Sequence, residues 1–479
     1  MSDTLDTLDA VYRAVRAASA HVVHDATPTP AVAVVLWRRR ADAVVEVYVV
    51  RRAPALKFLG GFWSFPGGRI EAADQAAESA VIAAAVREAL EELGISLPKA
   101  PSAYGHGGRW ITPEVVPIRF DAHYLVHEYR GGEPDPSVSG GELDAGAWVS
   151  ADELEQRWRS GEWLVPSPIS RVVRVIGRLA DDGVRLGDAL DGEVEAENAE
   201  PRLWYPIDGV GFAPLRTPTL PPAQHTNSYF IGTGEVAVID PATPYDDERA
   251  ELDRIVRALA DSGRTIAHVL LTHHHGDHVG AARYIADQLG VPVSAHPITA
   301  QLLGAGVVDR HLEDGQVVEL AGEPRRRLRA VHTPGHAAGH LCFYEEETGS
   351  LVAGDMVAGI GTILIEPSEG DMAEYLRSLE RIKELSPRFL LPAHGPLIAD
   401  PMAKLDDYIR HRLWREQRVI EALRDSGGGS VDELVARAYR DVPPAVHPIA
   451  ARSLLAHLRK LEDDGRAHRT GDTWSLQAT

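Results

Sequence analysis

Cysteine is almost absent. Cys342 is the single one in 479 residues, so no disulfide can form within the chain, and the expected setting is a reducing compartment. Lysine is scarce as well, with 5 against 44 arginines. Cations of both kinds are outnumbered, leaving a net charge of -21 and a pI near 5.4. That balance argues against a general polyanion-binding protein. No apolar run approaches the ~20 residues that cross a bilayer, and no charged-then-apolar leader opens the chain. These absences lead to the expectation of a soluble, cytoplasmic protein without a membrane partner. What is present is ordinary globular material, 44% hydrophobic and 25% charged, in a length that at ~150 residues per domain suggests about three domains.

The densest chemistry lies at Thr272-His273-His274-His275-Gly276-Asp277-His278, directly after the apolar run Val269-Leu270-Leu271. Imidazole nitrogens and a carboxylate in one tight loop at a strand end can face a single borderline-soft cation such as zinc. Further candidates follow, each at or just beyond an apolar run and in a glycine-containing turn: Thr333-Pro334-Gly335-His336, Val352-Ala353-Gly354-Asp355 and Leu391-Pro392-Ala393-His394-Gly395. Strand-like runs at 228–231, 236–239 and 267–271 alternate with helical periodicity at 246–262 and 281–289.

In this order the motifs resemble the metallo-β-lactamase superfamily over roughly 203–400. The resemblance implies an αββα sandwich and a binuclear zinc site that hydrolyses a thioester or similar ester with hydroxide. By that resemblance His273, His275 and His336 hold one zinc, Asp277, His278 and His394 hold the second, and Asp355 bridges them. Asp277 doubles as a catalytic residue, and Asp240 is a structural acid behind the site. His274 and His340 match non-ligand positions. With no Ser or Cys nucleophile required, Cys342 is expected to be an inert core residue.

Earlier in the chain, Phe65-Pro66-Gly67-Gly68 precedes a helix ending Arg87-Glu88-Ala89-Leu90-Glu91-Glu92-Leu93-Gly94-Ile95. Glu88, Glu91 and Glu92 are spaced i, i+3 and i+4 and share one helical face. Three like charges there repel unless a hard cation bridges them, and magnesium takes such oxygen ligands. The pattern resembles the Nudix hydrolase box, which implies Glu88, Glu91 and Glu92 as ligands of Mg²⁺ or Mn²⁺, Glu91 and Glu92 as catalytic residues, and Arg87 as the structural residue orienting the helix. The box is stretched: 19 positions separate Gly68 from Arg87 where 14 are usual. The early glutamate of the box falls on Ser79, leaving Glu78 or Asp74 as the partner of Arg87. Arg52-Ala53, Lys57, Gly61 and the Phe65–Gly68 turn are similar to the signature of coenzyme A diphosphatases, as is Trp110–Glu114 with Arg119-Phe120-Asp121. The implied substrate-binding residues are Arg52, Lys57, Gly67 and Gly68.

Residues 5–23 repeat their apolar positions as an amphipathic helix does, and 188–201 is acidic and poor in apolar residues, as linkers are. At the other end, helical periodicity at 402–424, a capping box at Ser430-x-x-Glu433 opening 431–439, a third helix after Pro448 and a hairpin over 466–476 suggest a winged helix. Arg452, Arg459 and Lys460 there are candidates for phosphate contacts. Residues 401–479 nevertheless carry 13 Lys and Arg against 12 Asp and Glu, far from the basic stripe of a nucleic-acid module. A metallo-β-lactamase domain followed by a winged helix resembles the lactamase-like group of single-strand endoribonucleases and thioesterases.

The expected chain is therefore multidomain, α/β and α+β: an N-terminal helix within 1–28, a Nudix α/β/α sandwich at 29–190, a metallo-β-lactamase αββα sandwich at 200–400 and a winged-helix-like domain at 401–479. The expected function is bifunctional hydrolysis, of a thioester by the zinc site and of a nucleoside diphosphate derivative such as coenzyme A by the Nudix part. Two alternatives stand beside it. One is an endoribonuclease of single-stranded RNA with a nucleotide-processing Nudix domain. The other is a zinc hydrolase regulated by a non-catalytic Nudix binding domain.

Overall fold

A computed structural model describes residues 27–130, 134–138 and 140–477. The helix expected at 5–23 lies outside these residues. The chain divides into two compact units, one spanning 24–212 and the other including 213–479, and it passes from the first to the second within the strand Val210–Arg216.

In the first unit, the strand Thr29–Arg39 runs antiparallel to Val45–Arg52 and parallel to Phe120–Glu128. Gly105–Ile111 extends the sheet beyond Phe120–Glu128, and Leu143–Val149 pairs with Val45–Arg52. Side chains alternate between the faces of a strand, and two cores result. Val32, Val34 and Leu36 meet Ala84, Ala85, Ala89 and Leu93 of the helix Ala80–Leu93. Val35 and Trp37 face the other way, toward Ile169, Val172, Val173 and Ile176 of the helix Ser167–Leu179. A sheet with helices on both faces is the expected α/β/α sandwich.

The stretch read as a linker is structured. Gly183–Ala199 is a helix, with Leu186 and Leu190 buried in the same core. Its acidity has a use, because Arg171 meets Glu193 at 2.9 Å, Glu197 at 3.2 Å and Glu200 at 2.6 Å.

The second unit holds two large sheets besides a C-terminal hairpin. One runs in the order Arg310–His311, Val293–Ala295, Thr265–Leu270, Glu235–Ile239, His225–Ile231, parallel except at the last pair. The other runs Val317–Leu320, Arg326–His332, Leu341–Glu345, Ser350–Gly354, Phe389–Pro392, antiparallel except at the last pair. Helices Asp246–Asp261 and Ala282–Leu289 pack on the first sheet. Met372–Glu384 and the start of Pro401–Ser426 pack on the second, through Met372, Tyr375, Leu379, Ile382 and Leu405. This is the αββα arrangement.

After it come Val431–Ala438, His447–Asp463 and the hairpin Ala467–Thr470 with Thr473–Leu476, around a core of Leu423, Leu434, Leu454, Leu458, Leu461 and Trp474. The capping box at Ser430 and Glu433 forms. Among the described residues, no helix is long and apolar enough to cross a membrane.

Candidate metal centres

Both sheets of the second unit deliver polar side chains from the carboxyl ends of their strands. Asp240 follows Glu235–Ile239, the cluster at 272–278 follows Thr265–Leu270, and Asp355 and His394 follow Ser350–Gly354 and Phe389–Pro392. Strand ends give rigid footing while the loops can turn inward.

Asp240 organises the cluster from behind. It is 2% exposed, and its backbone sits at a φ of 50°, a region a non-glycine residue occupies only when its surroundings enforce it. Its carboxylate accepts from Thr272 N at 2.8 Å, Thr272 Oγ1 at 2.6 Å and His278 Nδ1 at 2.8 Å. Having donated to Asp240, the Thr272 hydroxyl accepts from His273 Nδ1 at 3.0 Å.

The same accounting fixes the other rings. His336 Nδ1 donates to Leu364 O at 2.8 Å, and His275 Nε2 donates to Glu369 Oε1 at 2.8 Å. In each of these three histidines the outer nitrogen carries the proton, because its partner is an acceptor. The inner nitrogens are therefore lone pairs, and they converge: His273 Nε2 lies 2.9 Å and His336 Nε2 3.0 Å from His275 Nδ1. Three lone pairs pointed at one another repel unless a cation stands among them. Burial, reinforced by the neighbouring imidazoles, holds His273 well below the usual range and His336 down to about 4, so both rings are neutral at pH 7.

Beside this nitrogen set lies a carboxylate-rich one. His394 Nδ1 donates to His225 O at 3.1 Å, and His394 Nε2 faces Asp277 at 3.6 Å and Asp355 at 3.4 Å. His278 Nε2 lies 3.6 Å from Asp355 Oδ1. The second oxygen of Asp355 faces His336 at 3.5 Å, so one carboxylate looks toward both sets. His278 Nε2 and Asp355 Oδ1 are buried without a hydrogen-bond partner, a costly condition that a bound cation relieves. Burial depresses the basicity of His278 and His394, but Asp355 and the other nearby acids outweigh it and raise both. The seven ligand positions expected from the sequence are all drawn together here, in the groups His273–His275–His336, His273–His278–Asp355 and Asp277–His278–His394. The nitrogen-and-carboxylate donors suit a borderline divalent ion such as zinc.

Three further residues shape this centre. His340 Nε2 accepts the Asp355 amide at 3.1 Å, while its Nδ1 meets Thr333 Oγ1 at 2.9 Å; burial keeps this ring neutral, as an acceptor must be. Glu369, which the sequence reading missed, accepts from His274 Nε2 at 2.9 Å and His275 Nε2 at 2.8 Å. No local pattern marks it, because it lies 95 residues from His274 in sequence. Cys342 is fully buried, with its thiol pushed up to about 12 by burial.

The glutamate helix of the first unit is arranged differently. Ser79 caps it and Gly94 ends it at a φ of 68°. Asp74, in the turn Asp74–Ala76, meets Arg87 at 3.0 Å. Of the two partners left open by the sequence, Asp74 makes the contact. Arg87 also reaches Arg69 O at 2.8 Å, Glu88 at 2.8 Å and Glu91 at 3.2 Å. Glu92 turns away to accept from Gly67 N at 2.8 Å, and burial lifts it to about 7. A Cβ at residue 68 would lie 2.2 Å from Glu88 Oε1, so a side chain there would displace the Glu88 carboxylate. Among the described residues, the ligand groups that come within 4.8 Å lie in the second unit, and Glu88, Glu91 and Glu92 form none.

The expected substrate-binding residues are only partly presented. Arg52 donates to Phe58 O at 3.0 Å within its own loop, Lys57 is exposed, and Gly67 and Gly68 pair with Ala33 and Val32 in the sheet. The phosphate contacts suggested for the winged helix meet protein instead. Arg452 pairs with Glu366, Arg459 donates to Pro367 O, and Lys460 meets Glu416 at 2.9 Å and Asp464 at 2.7 Å.

Comparison with known proteins agrees with these three parts. Residues 27–166 match the NUDIX domain, 221–394 the metallo-beta-lactamase superfamily and 430–474 the beta-lactamase associated winged helix domain. The chain is 32% identical over 246 residues to a Beta-lactamase-like protein 2 homolog of Caenorhabditis elegans, covering 50% of this chain and 80% of that one. It is 35% identical over 265 residues to Lactamase-like protein nscB of Aspergillus fumigatus, covering 51% and 74%. It is 35% identical over 255 residues to an Atrochrysone carboxyl ACP thioesterase of Aspergillus chevalieri, covering 50% and 77%. The chain is a hydrolase that belongs to the metallo-β-lactamase superfamily, with a Nudix domain before its metal-site domain and a winged helix after it.

Proposed function

We propose that the metallo-β-lactamase domain hydrolyses a thioester, of coenzyme A or of a carrier protein, and that the Nudix domain cleaves the pyrophosphate of a nucleoside diphosphate derivative such as coenzyme A. The observation that carries the first half is the set of facing lone pairs and carboxylates between His273 and His394, with the Asp355 carboxylate turned toward both groups. A thioesterase-named relative at 35% identity gives the substrate class its support.

Zinc is the proposed metal: His273, His275 and His336 would hold one ion, Asp277, His278 and His394 the other, and Asp355 would face both. When bound, such a pair supplies Lewis acidity and a water acidic enough to react near neutral pH. The protein's own residues do the rest. Asp240, Thr272, Leu364 O and Glu369 fix each ring so that the correct nitrogen points inward. In the reaction, water adds to the acyl carbon, the C–S bond breaks and the thiol departs with a proton. Asp277, whose side chain is 18% exposed at the rim of the centre, is the group proposed to hold that proton in passage. Hydrolysis of a panel of acyl thioesters by the zinc-loaded chain, with Asp355→Ala in parallel, tests the reading. Thioesters left intact by the wild type would refute it.

For the Nudix half, Glu88, Glu91 and Glu92 supply hard oxygen donors of the kind Mg²⁺ or Mn²⁺ prefers, and burial, reinforced by neighbouring carboxylates, raises Glu88 and Glu92, a shift that a divalent ion opposes. A second reading, a Nudix domain that binds a nucleotide without cleaving it, is favoured by one observation. Arg87 holds both Glu88 and Glu91. Glu91→Gln separates the two: loss of a diphosphatase activity supports the enzyme, and ligand binding with no turnover in the wild type supports the sensor. Arg452, Arg459 and Lys460, the basic residues offered for phosphate contact in the ribonuclease alternative, are engaged within the protein.

A further inference from the structure

The segment 358–371 lies within the metal-site domain, between the strand Ser350–Gly354 and the helix Met372–Glu384. Its metal-facing side is tied to two proposed ligands: Leu364 O accepts from His336, and Glu369 accepts from His275 and from the adjacent His274. Its other side is tied to the C-terminal helices. Arg452, on the winged-helix element His447–Asp463, makes a two-pronged pair with Glu366, its Nε reaching Oε2 at 2.8 Å. Arg459, two turns further along the same face, donates to Pro367 O. From the long helix, Arg412 donates to Ile363 O, and the Tyr408 hydroxyl accepts from Ala358 N at 2.9 Å.

Glu366 and Glu369 belong to one tight turn. Glu369 N donates to Glu366 O at 3.1 Å and Gly370 N to the same oxygen at 2.7 Å, while Asp371 N closes onto Gly335 O at 2.8 Å. The turn presses on the ligand loop, since a Cβ at residue 370 would lie 2.6 Å from Gly335 O and 2.9 Å from His336 O. Glu366 is 3% exposed. A buried carboxylate needs a bonded partner, and Arg452 gives it two bonds in a fixed plane, which sets orientation as well as position.

We infer that Glu369 is a positioning residue for the metal centre and that the winged helix, through Arg452 on Glu366, holds Glu369 in place. The small domain then acts as a splint on the ligand histidines, and its basic residues serve that purpose in place of nucleic-acid contact. This inference rests on the metal site proposed above. A carboxylate on the outer nitrogen of a ligand imidazole fixes the ring and raises its basicity, and losing such a partner costs about 10–100-fold in metal affinity.

The test uses the full chain, stripped of metal with a chelator and titrated with Zn²⁺ by competition against a colorimetric chelator. Co²⁺ loading provides a visible absorption spectrum that reports ligand geometry. Glu369→Gln leaves one ring N–H facing an amide N–H, and its zinc affinity is expected to fall about 10–100-fold. Arg452→Ala is expected to weaken zinc in the same direction by a smaller factor, on the order of 3–10-fold, and both variants should shift the cobalt bands. Lys460→Ala, which breaks pairs confined to the helices outside the segment, should leave affinity and spectrum unchanged. The Glu369 side chain is 33% exposed, against 4% for Glu366, so Glu369→Gln remains informative if Arg452→Ala folds poorly. Wild-type affinity and an unshifted spectrum in Glu369→Gln would overturn the role of Glu369, and the same result in a folded Arg452→Ala would overturn the splint. A wild-type chain that takes up no zinc would instead refute the metal site itself.

Discussion

The two candidate centres of this chain are both built from ligand-type residues, yet they stand in opposite electrostatic conditions. In the metallo-β-lactamase domain, the outer hydrogens of the His273, His275, His336 and His394 rings are spent on oxygens behind them, so the lone pairs of His273, His275 and His336 and the carboxylates of Asp277 and Asp355 look inward. In the Nudix domain a cation is already at the centre, because Arg87 reaches Asp74, Glu88 and Glu91. The first centre has its donors already gathered, whereas in the second Arg87 holds one oxygen each of Glu88 and Glu91, and the three glutamates are not drawn together. The difference teaches that a motif supplies donors, while the partners of those donors decide readiness.

The largest effect expected to separate the two is on thioester hydrolysis. Asp355→Ala removes the carboxylate shared by both ligand groups, and kcat measured on the zinc-loaded chain should fall roughly a thousandfold or more, the scale on which loss of an electrostatic stabiliser in a catalytic site is felt. Pyrophosphate cleavage by the same variant should be unaffected, and a parallel loss would break the separation. Glu91→Gln should do the reverse, lowering magnesium-dependent cleavage of coenzyme A by about 10²-fold, assayed by release of phosphoadenosine products, with thioester turnover intact.

Asp240→Ala strands three buried donors, Thr272 N, Thr272 Oγ1 and His278 Nδ1. It should cost about 3 kcal/mol in denaturant unfolding of the metal-free chain. A loss below about 1 kcal/mol would show that the donors find other partners.

The smallest effect concerns Glu92. Burial raises its pKa in the folded state to about 7, so the folded state binds its proton more tightly than the unfolded state does. Stability from this group is present at low pH and lost as pH rises from the unfolded value toward 7. The melting temperature of Glu92→Gln minus that of the wild type should therefore grow from pH 5 to about pH 7 and then level off, and added Mg²⁺ should shrink it. A difference that is flat with pH would contradict the burial of the carboxylate.

Much of this was legible in the sequence, for a physical reason. The clustered residues at 273–278 are adjacent in the chain, and those at 336, 355 and 394, which the fold brings beside them, follow strands whose apolar runs are visible by themselves. The winged helix was also legible, since its helices carry caps and periodicity that act locally. What escaped depends on tertiary partners. Glu369 meets His274 and His275 across some ninety intervening residues. Asp74 could be preferred over Glu78 only once the turn Asp74–Ala76 was seen beside Arg87. The acidic residues of 188–201 resembled a linker because Arg171, their common partner, lies on another helix. Arg452 and Arg459 looked available for phosphate because Glu366 and Pro367 O are far away in the chain.

The most direct test is an anomalous difference map at the zinc edge from crystals of the full chain equilibrated with zinc. The prediction is two peaks in the second unit: one among His273, His275 and His336, the other among Asp277, His278 and His394, with Asp355 facing both. A map with no peak in that cluster would contradict the account.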